Sequence, residues 1–132
     1  MDASVTLTYL LTEEAQSEPA ARAFEVLEKT GAHVPSIWAS EVANALVVKE
    51  RKSLISDSVV NRVLRILDSL PVRIDEDGDV LGATTVLARR HQRSVYDAQY
   101  LELALRLGVP LATFDGGLKQ GAVEAGVQLA EF

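Results

Sequence analysis

Helical patterns and short apolar runs alternate along this chain, and that alternation restricts the fold more than any other feature. Residues 18–29 carry Ala20, Ala23, Phe24 and Leu27 on one helical face, and Gly31 is placed to stop the helix. His33-Val34-Pro35 reads as a short extended piece. Ser36 then stands as the cap of a helix running to about Lys52. Val59, Val60, Val63, Leu64 and Leu67 form the stripe of a helix over 57–69, which Pro71 ends. Val72–Ile74 is a short strand, and residues 79–91 and 96–107 are helical. Val109–Phe114 is a nearly continuous apolar run, as expected of a strand covered on both faces. A helix over 117–125 and a last strand at Val127–Leu129 follow. Such alternation predicts an α/β sandwich around a parallel sheet.

With 132 residues, the chain fits one domain spanning 1–132, and a hydrophobic content of 48% supplies a core. There is no cysteine, which removes disulfides, zinc–thiolate sites and thiol nucleophiles and suits a reducing cytoplasmic setting. His33 and His91 alone do not make a histidine-rich zinc site. A metal here is therefore held by oxygen, which selects hard cations such as Mg²⁺ or Mn²⁺. No apolar run reaches the roughly 18 residues that span a bilayer, and the first residues carry Asp2 rather than a basic leader. A net charge of −6 argues against a general nucleic-acid coat protein but not against a nuclease, because metal-binding carboxylates make a chain acidic.

Four carboxylates fit a structural role poorly when taken together. Glu41 shares a helical face with Ile37, Trp38, Ala45 and Val48, where a buried acid needs a partner or a metal. The alternative is the edge of a surface helix. Asp97 heads the apolar stripe Leu101, Ala104 and Leu105, although Ser94-x-x-Asp97 also fits a capping box with Asp in place of Glu. Asp115 follows Leu111-Ala112-Thr113-Phe114, at the carboxyl end of a strand where α/β sheets bind ligands, or as a plain helix cap. Asp2 carries no message alone. Acids converging on one end of one sheet would repel one another unless a cation sat among them. Paired divalent cations are a recurring solution for phosphodiester cleavage.

Other signals carry less. Asp75-Glu76-Asp77-Gly78-Asp79 invites a calcium-loop reading, but Gly78 is fourth rather than sixth and the twelfth position is Val86. It reads as a solvated turn with Asp79 as a helix cap. Arg89, Arg90, His91 and Arg93 form the one concentrated basic patch, either favourable charge at a helix C-terminus or a phosphate-contacting rim beside the acids. Trp38 is expected in the core rather than as a base-stacking platform.

Four stretches resemble the PIN domain, and more narrowly the VapC-type ribonuclease toxins of bacterial toxin–antitoxin pairs: Asp2–Val5, Val34–Leu46, Tyr96–Ala104 and Pro110–Leu118. They cover essentially the whole chain in the right order. The resemblance implies a PIN-like three-layer α/β/α sandwich with a central parallel sheet of about five strands. It implies an endoribonuclease dependent on Mg²⁺ or Mn²⁺, with Asp2, Glu41, Asp97 and Asp115 as the acidic quartet, and Asn44 and Thr113 in support. An RNA substrate, a homodimer and a cognate antitoxin protein follow from the same resemblance. Arg89, Arg90 and Arg93 are the expected RNA-binding residues.

In that family the first acid ends an apolar strand in the middle of the sheet, whereas here only Met1 precedes Asp2. Propensity alone makes residues 4–10 a strand, since Val5, Leu7 and Tyr9 alternate with Thr6 and Thr8. The resemblance makes residues 4–11 a helix, and with it comes the expectation that the natural protein starts a few residues upstream with an apolar segment. Two rival functions stand beside the nuclease. One is a catalytically inactive PIN-like protein-interaction module. The other is a receiver-type phospho-acceptor domain, which would need an acidic pair near Asp2 and a lysine ending a strand, and would leave Glu41 unexplained.

Overall fold

The computed structural model describes residues 1–11 and 18–132. Its elements run α1 (Ala3–Leu11), α2 (Glu18–Thr30), β1 (Ala32–Pro35), α3 (Ile37–Arg51), α4 (Asp57–Ser69), β2 (Val72–Asp75), a π-helical turn (Val80–Thr84), α5 (Thr85–His91), α6 (Val95–Leu107) and α7 (Gly116–Ala125). β1 and β2 pair in parallel, with Ala32 opposite Val72 and Pro35 opposite Asp75. α3 and α4 form the crossover that a parallel pair requires.

Residues 3–11 are helical despite their alternating β-formers. Ala3, Val5, Thr6 and Leu10 are buried, so the tertiary face overrides local propensity. In α2 the four stripe residues Ala20, Ala23, Phe24 and Leu27 are all buried, and the Phe24 ring stacks on Tyr9 of α1 with centroids 3.7 Å apart. α6 is the axis of the molecule: every residue from Ala98 to Ala104 is buried. α4 is peripheral, with Val63 its one fully buried residue.

The structure corrects several expectations. Two strands are present among the described residues, rather than about five. Val109–Phe114 is not a regular strand covered on both faces: Val109 is 39% exposed, and the segment joins residues 127–129 through one parallel bridge, Leu111 with Leu129. On its other side Asp2 donates its backbone N–H to the Ala112 carbonyl at 2.8 Å. The Met1 amine reaches the His33 carbonyl of β1 at 2.9 Å. Residues 1 and 2 thus lie between β1 and the 111–113 segment. Ser36 holds the N-cap position of α3 but accepts no capping bond, since its backbone is already helical. The helix expected over 79–91 opens with the π-turn. There Asp79 caps the Gly82 and Ala83 amides at 2.9 and 3.1 Å, as a helix cap at that position should.

Gly31 ends α2 with φ +71°, and a Cβ there would meet the Pro71 carbonyl oxygen at 2.9 Å. That same oxygen accepts the Ala32 N–H at 3.1 Å at the start of the β1–β2 pair. Gly31→Ala is expected to destabilise the fold by about 1–3 kcal/mol, read as a lower urea midpoint with an unchanged slope.

Candidate metal centre

Asp2 is the most firmly held acid. It is 7% exposed, and its Oδ2 accepts from both Ser4 Oγ and Thr113 Oγ1, the latter at 2.7 Å. Each hydroxyl also accepts a backbone amide from the segment beyond residue 112: Phe114 N–H to Ser4 Oγ at 3.0 Å, and Asp115 N–H to Thr113 Oγ1 at 3.0 Å. Two relays therefore run from those amides through hydroxyls to one carboxylate oxygen. They fix Asp2 at the start of α1 against the loop that carries Asp115.

Glu41 lies on the first turns of α3, just after β1. The buried stripe of that helix is Trp38, Val42 and Leu46, so Glu41 flanks the buried face instead of sharing it with Ile37, Ala45 and Val48. Its Oε2 accepts the phenol proton of buried Tyr100. Asp97 lies in the first turn of α6, where its own N–H is capped by Ser94 Oγ at 3.0 Å. Asp115 caps α7 through Oδ1, which accepts the Leu118 N–H at 2.7 Å. The capping readings of Ser94 and Asp115 hold, and they stand beside the acidic cluster rather than replacing it, because each Asp keeps an oxygen outside its cap.

The structure brings the four acids within electrostatic reach of one another. Burial pushes the Glu41 carboxyl above its ordinary range. The Tyr100 bond opposes that shift, and the charges of Asp2 and Asp97 add to it. Burial also raises Asp97; Ser94 opposes the rise, Asp115 and Asp2 reinforce it, and Arg93 partly offsets it. Among the described residues, however, no three acids or histidines stand close enough to make a ready-made ligand group. The chemistry of the donor set nevertheless fits a hard divalent cation: it is all oxygen and carries like charge that, among the described residues, only Arg93 is seen to offset.

Of the basic patch, Arg93 acts on Asp97. Its side chain lies along α7, where a Cβ at Gly121 would meet its Nε at 3.2 Å, and its guanidinium faces Glu124 at 3.7 Å. Arg89 and Arg90 are exposed on α5. Asn44 is exposed on α3, and Trp38 is core, 7% exposed. The sequence reading overlooked Ser4 and Tyr100. A signal for Tyr100 existed: a tyrosine inside an apolar stripe must find a partner for its hydroxyl. Ser4 was harder to find: its bond to Asp2 is local, but the Phe114 N–H that it accepts lies 110 positions away.

The arrangement defines an α/β protein whose four acids each lie at or near the start of a helix: Asp2 before α1, Glu41 in α3, Asp97 in α6 and Asp115 capping α7. The profile of the PIN domain family matches residues 1–124, and the chain belongs to that family. It is 32% identical over 122 residues to Ribonuclease VapC3 of Pyrobaculum aerophilum, covering 91% of each chain. The crystal structure of PAE2754 from Pyrobaculum aerophilum superimposes with a TM-score of 0.69 at 21% identity, over 91% of this chain and 81% of that one, and so shares the fold. Membership of the PIN family removes the receiver-type alternative.

Asp97→Asn is expected to raise the metal-free melting temperature by a few degrees at neutral pH, a modest gain because the group is partly solvated. The sign follows from the raised carboxyl pKa. The penalty is fully present above that pKa and is relieved as pH falls through the carboxylate range. The gain should therefore shrink on acidification, as thermal melts at neutral and acidic pH would show.

Proposed function

We propose that this chain is a Mg²⁺- or Mn²⁺-dependent endoribonuclease, the toxin of a toxin–antitoxin pair, which hydrolyses RNA phosphodiester bonds. The observation that supports the reading is that Asp2 and Asp97 act on Glu41, and Asp115 and Asp2 on Asp97, each raising the carboxyl as a like charge does. The relation to a ribonuclease, VapC3, supports RNA as the substrate. A cognate antitoxin, a homodimer and a cytoplasmic setting belong to the same proposal.

In this mechanism Asp2, Glu41, Asp97 and Asp115 would hold the divalent cation, which when bound would supply Lewis-acid stabilisation of the phosphate and lower the pKa of a water. Ser4 and Thr113 keep the Asp2 carboxylate aimed by donating to Oδ2. That leaves Oδ1 for the cation. The Asp115 carboxylate is anchored through Oδ1 to the start of α7, which directs Oδ2 outward. Arg93 supplies positive charge beside Asp97, where a phosphate oxygen would sit. Exposed Arg89 and Arg90 extend that charge along the backbone of the RNA, and Asn44 borders the site one turn after Glu41.

Cleavage of a structured RNA in Mn²⁺ or Mg²⁺ is expected, abolished by a chelator and restored by added metal. Glu41→Gln and Asp97→Asn should each lower the rate by more than about 100-fold with the fold intact. Near-normal activity in either would remove that residue from the site, and metal-independent binding without cleavage would favour an inactive interaction module.

Arg89→Ala with Arg90→Ala is expected to weaken RNA binding across sequences and to reduce the slope of log affinity against log salt. Each lost phosphate contact is worth about 0.7–0.9 in that slope. An unchanged slope in filter binding from low to moderate salt would return these arginines to ordinary surface.

A further inference from the structure

Tyr100 lies at the centre of α6 and is 2% exposed, so its ring belongs to the core while its hydroxyl must find a polar partner there. That partner is Glu41 Oε2, on a different helix and 59 residues away in sequence. A core tyrosine of α6 therefore ties down a carboxylate carried by α3.

This matters because Glu41 is otherwise poorly restrained. It flanks the buried stripe of α3, its neighbour Asn44 is exposed, and no cation is paired with it among the described residues. A glutamate side chain loses roughly 1.5–2 kcal/mol of rotamer freedom when fixed. Repulsion from Asp2 and Asp97 would drive an unrestrained Glu41 outward. The Tyr100 hydroxyl opposes both effects by binding one oxygen, Oε2, and leaving Oε1 for another ligand.

We propose that Tyr100 is a positioning residue for the proposed metal centre: its hydroxyl, reaching across from α6, holds the Glu41 carboxylate in one orientation on α3. The proposal rests on the reading of these acids as a divalent-cation site. It separates Tyr100 from the residues that hold the cation, because the phenol acts through Glu41.

The test is Tyr100→Phe, which keeps the ring in the core and removes only the hydroxyl. Mn²⁺ binding to the purified full chain, followed by titration calorimetry, should weaken about tenfold. This is the fold-change expected for losing one hydrogen bond to a charged group. The Mn²⁺ concentration giving half-maximal RNA cleavage should rise by the same factor, while the rate at saturating Mn²⁺ stays within about twofold of the parent. Circular dichroism should show a folded protein, so that a merely structural loss would be visible as melting without a selective change in metal affinity. In Glu41→Gln, which already lacks the carboxylate, adding Tyr100→Phe should weaken Mn²⁺ binding no further.

Unchanged Mn²⁺ affinity in Tyr100→Phe would overturn the proposal. So would tighter binding, which would mean that the phenol competes with the cation for Glu41, or a collapse of the rate at saturating metal. If the parent chain itself binds no Mn²⁺ and cleaves no RNA, the nuclease reading falls first and this inference with it. That outcome is distinguishable because the parent, not only the variant, is then silent.

Discussion

The Asp2 carboxylate is the interaction on which the rest of the site depends. Its Oδ2 accepts two hydroxyls, and each hydroxyl is polarised by a backbone amide of residues 114 and 115. Hydrogen bonds to an ionised acceptor are about twice as strong as neutral ones, and here they are shielded from water, with Thr113 3% exposed. The anchor ties the beginning of the chain to a segment more than 100 residues later. Because residues 1 and 2 lie between β1 and the 111–113 segment, the same anchor joins the two parts of the sheet where a ladder is short.

Around that anchor the molecule stabilises charge unevenly. Arg106 pairs with Asp75 at 2.6 Å and with Glu102 at 2.7 Å, so the acids on the far side of α6 are neutralised by a neighbour. No such partner serves Glu41, whose burial and like-charged neighbours raise its carboxyl. A fold that neutralises one group of acids and leaves another repelling itself stores unfavourable electrostatic energy at one place. On the proposed nuclease reading a bound cation would relieve it, which would link stability to ligand.

Two elements were only half readable because local pattern and tertiary setting disagree. The run Val109–Phe114 has the composition of a covered strand, yet it forms a single bridge, to Leu129, and Val109 is 39% exposed. α4 has a strong stripe of valines and leucines, yet only Val63 is fully buried. In the reverse direction, α1 looks like a strand by alternation and folds as a helix because its inner face packs on α2 and α3.

The sequence by itself determined the helices with clear periodicity, the oxygen-only chemistry open to a chain without cysteine, and the identities of the four acids. These are properties of short windows and of composition. Only the tertiary structure decided that Ser4 and Thr113 hold Asp2, that Tyr100 binds Glu41, and that Arg93 acts on Asp97. It also decided that the β1–β2 pair is the one regular sheet among the described residues. The physical reason is packing between distant segments. Thr113 meets Asp2 and Tyr100 meets Glu41 across 111 and 59 positions, and Ser4, although close to Asp2 in sequence, also holds the Phe114 amide 110 positions away. Such contacts exist only once the whole chain has packed.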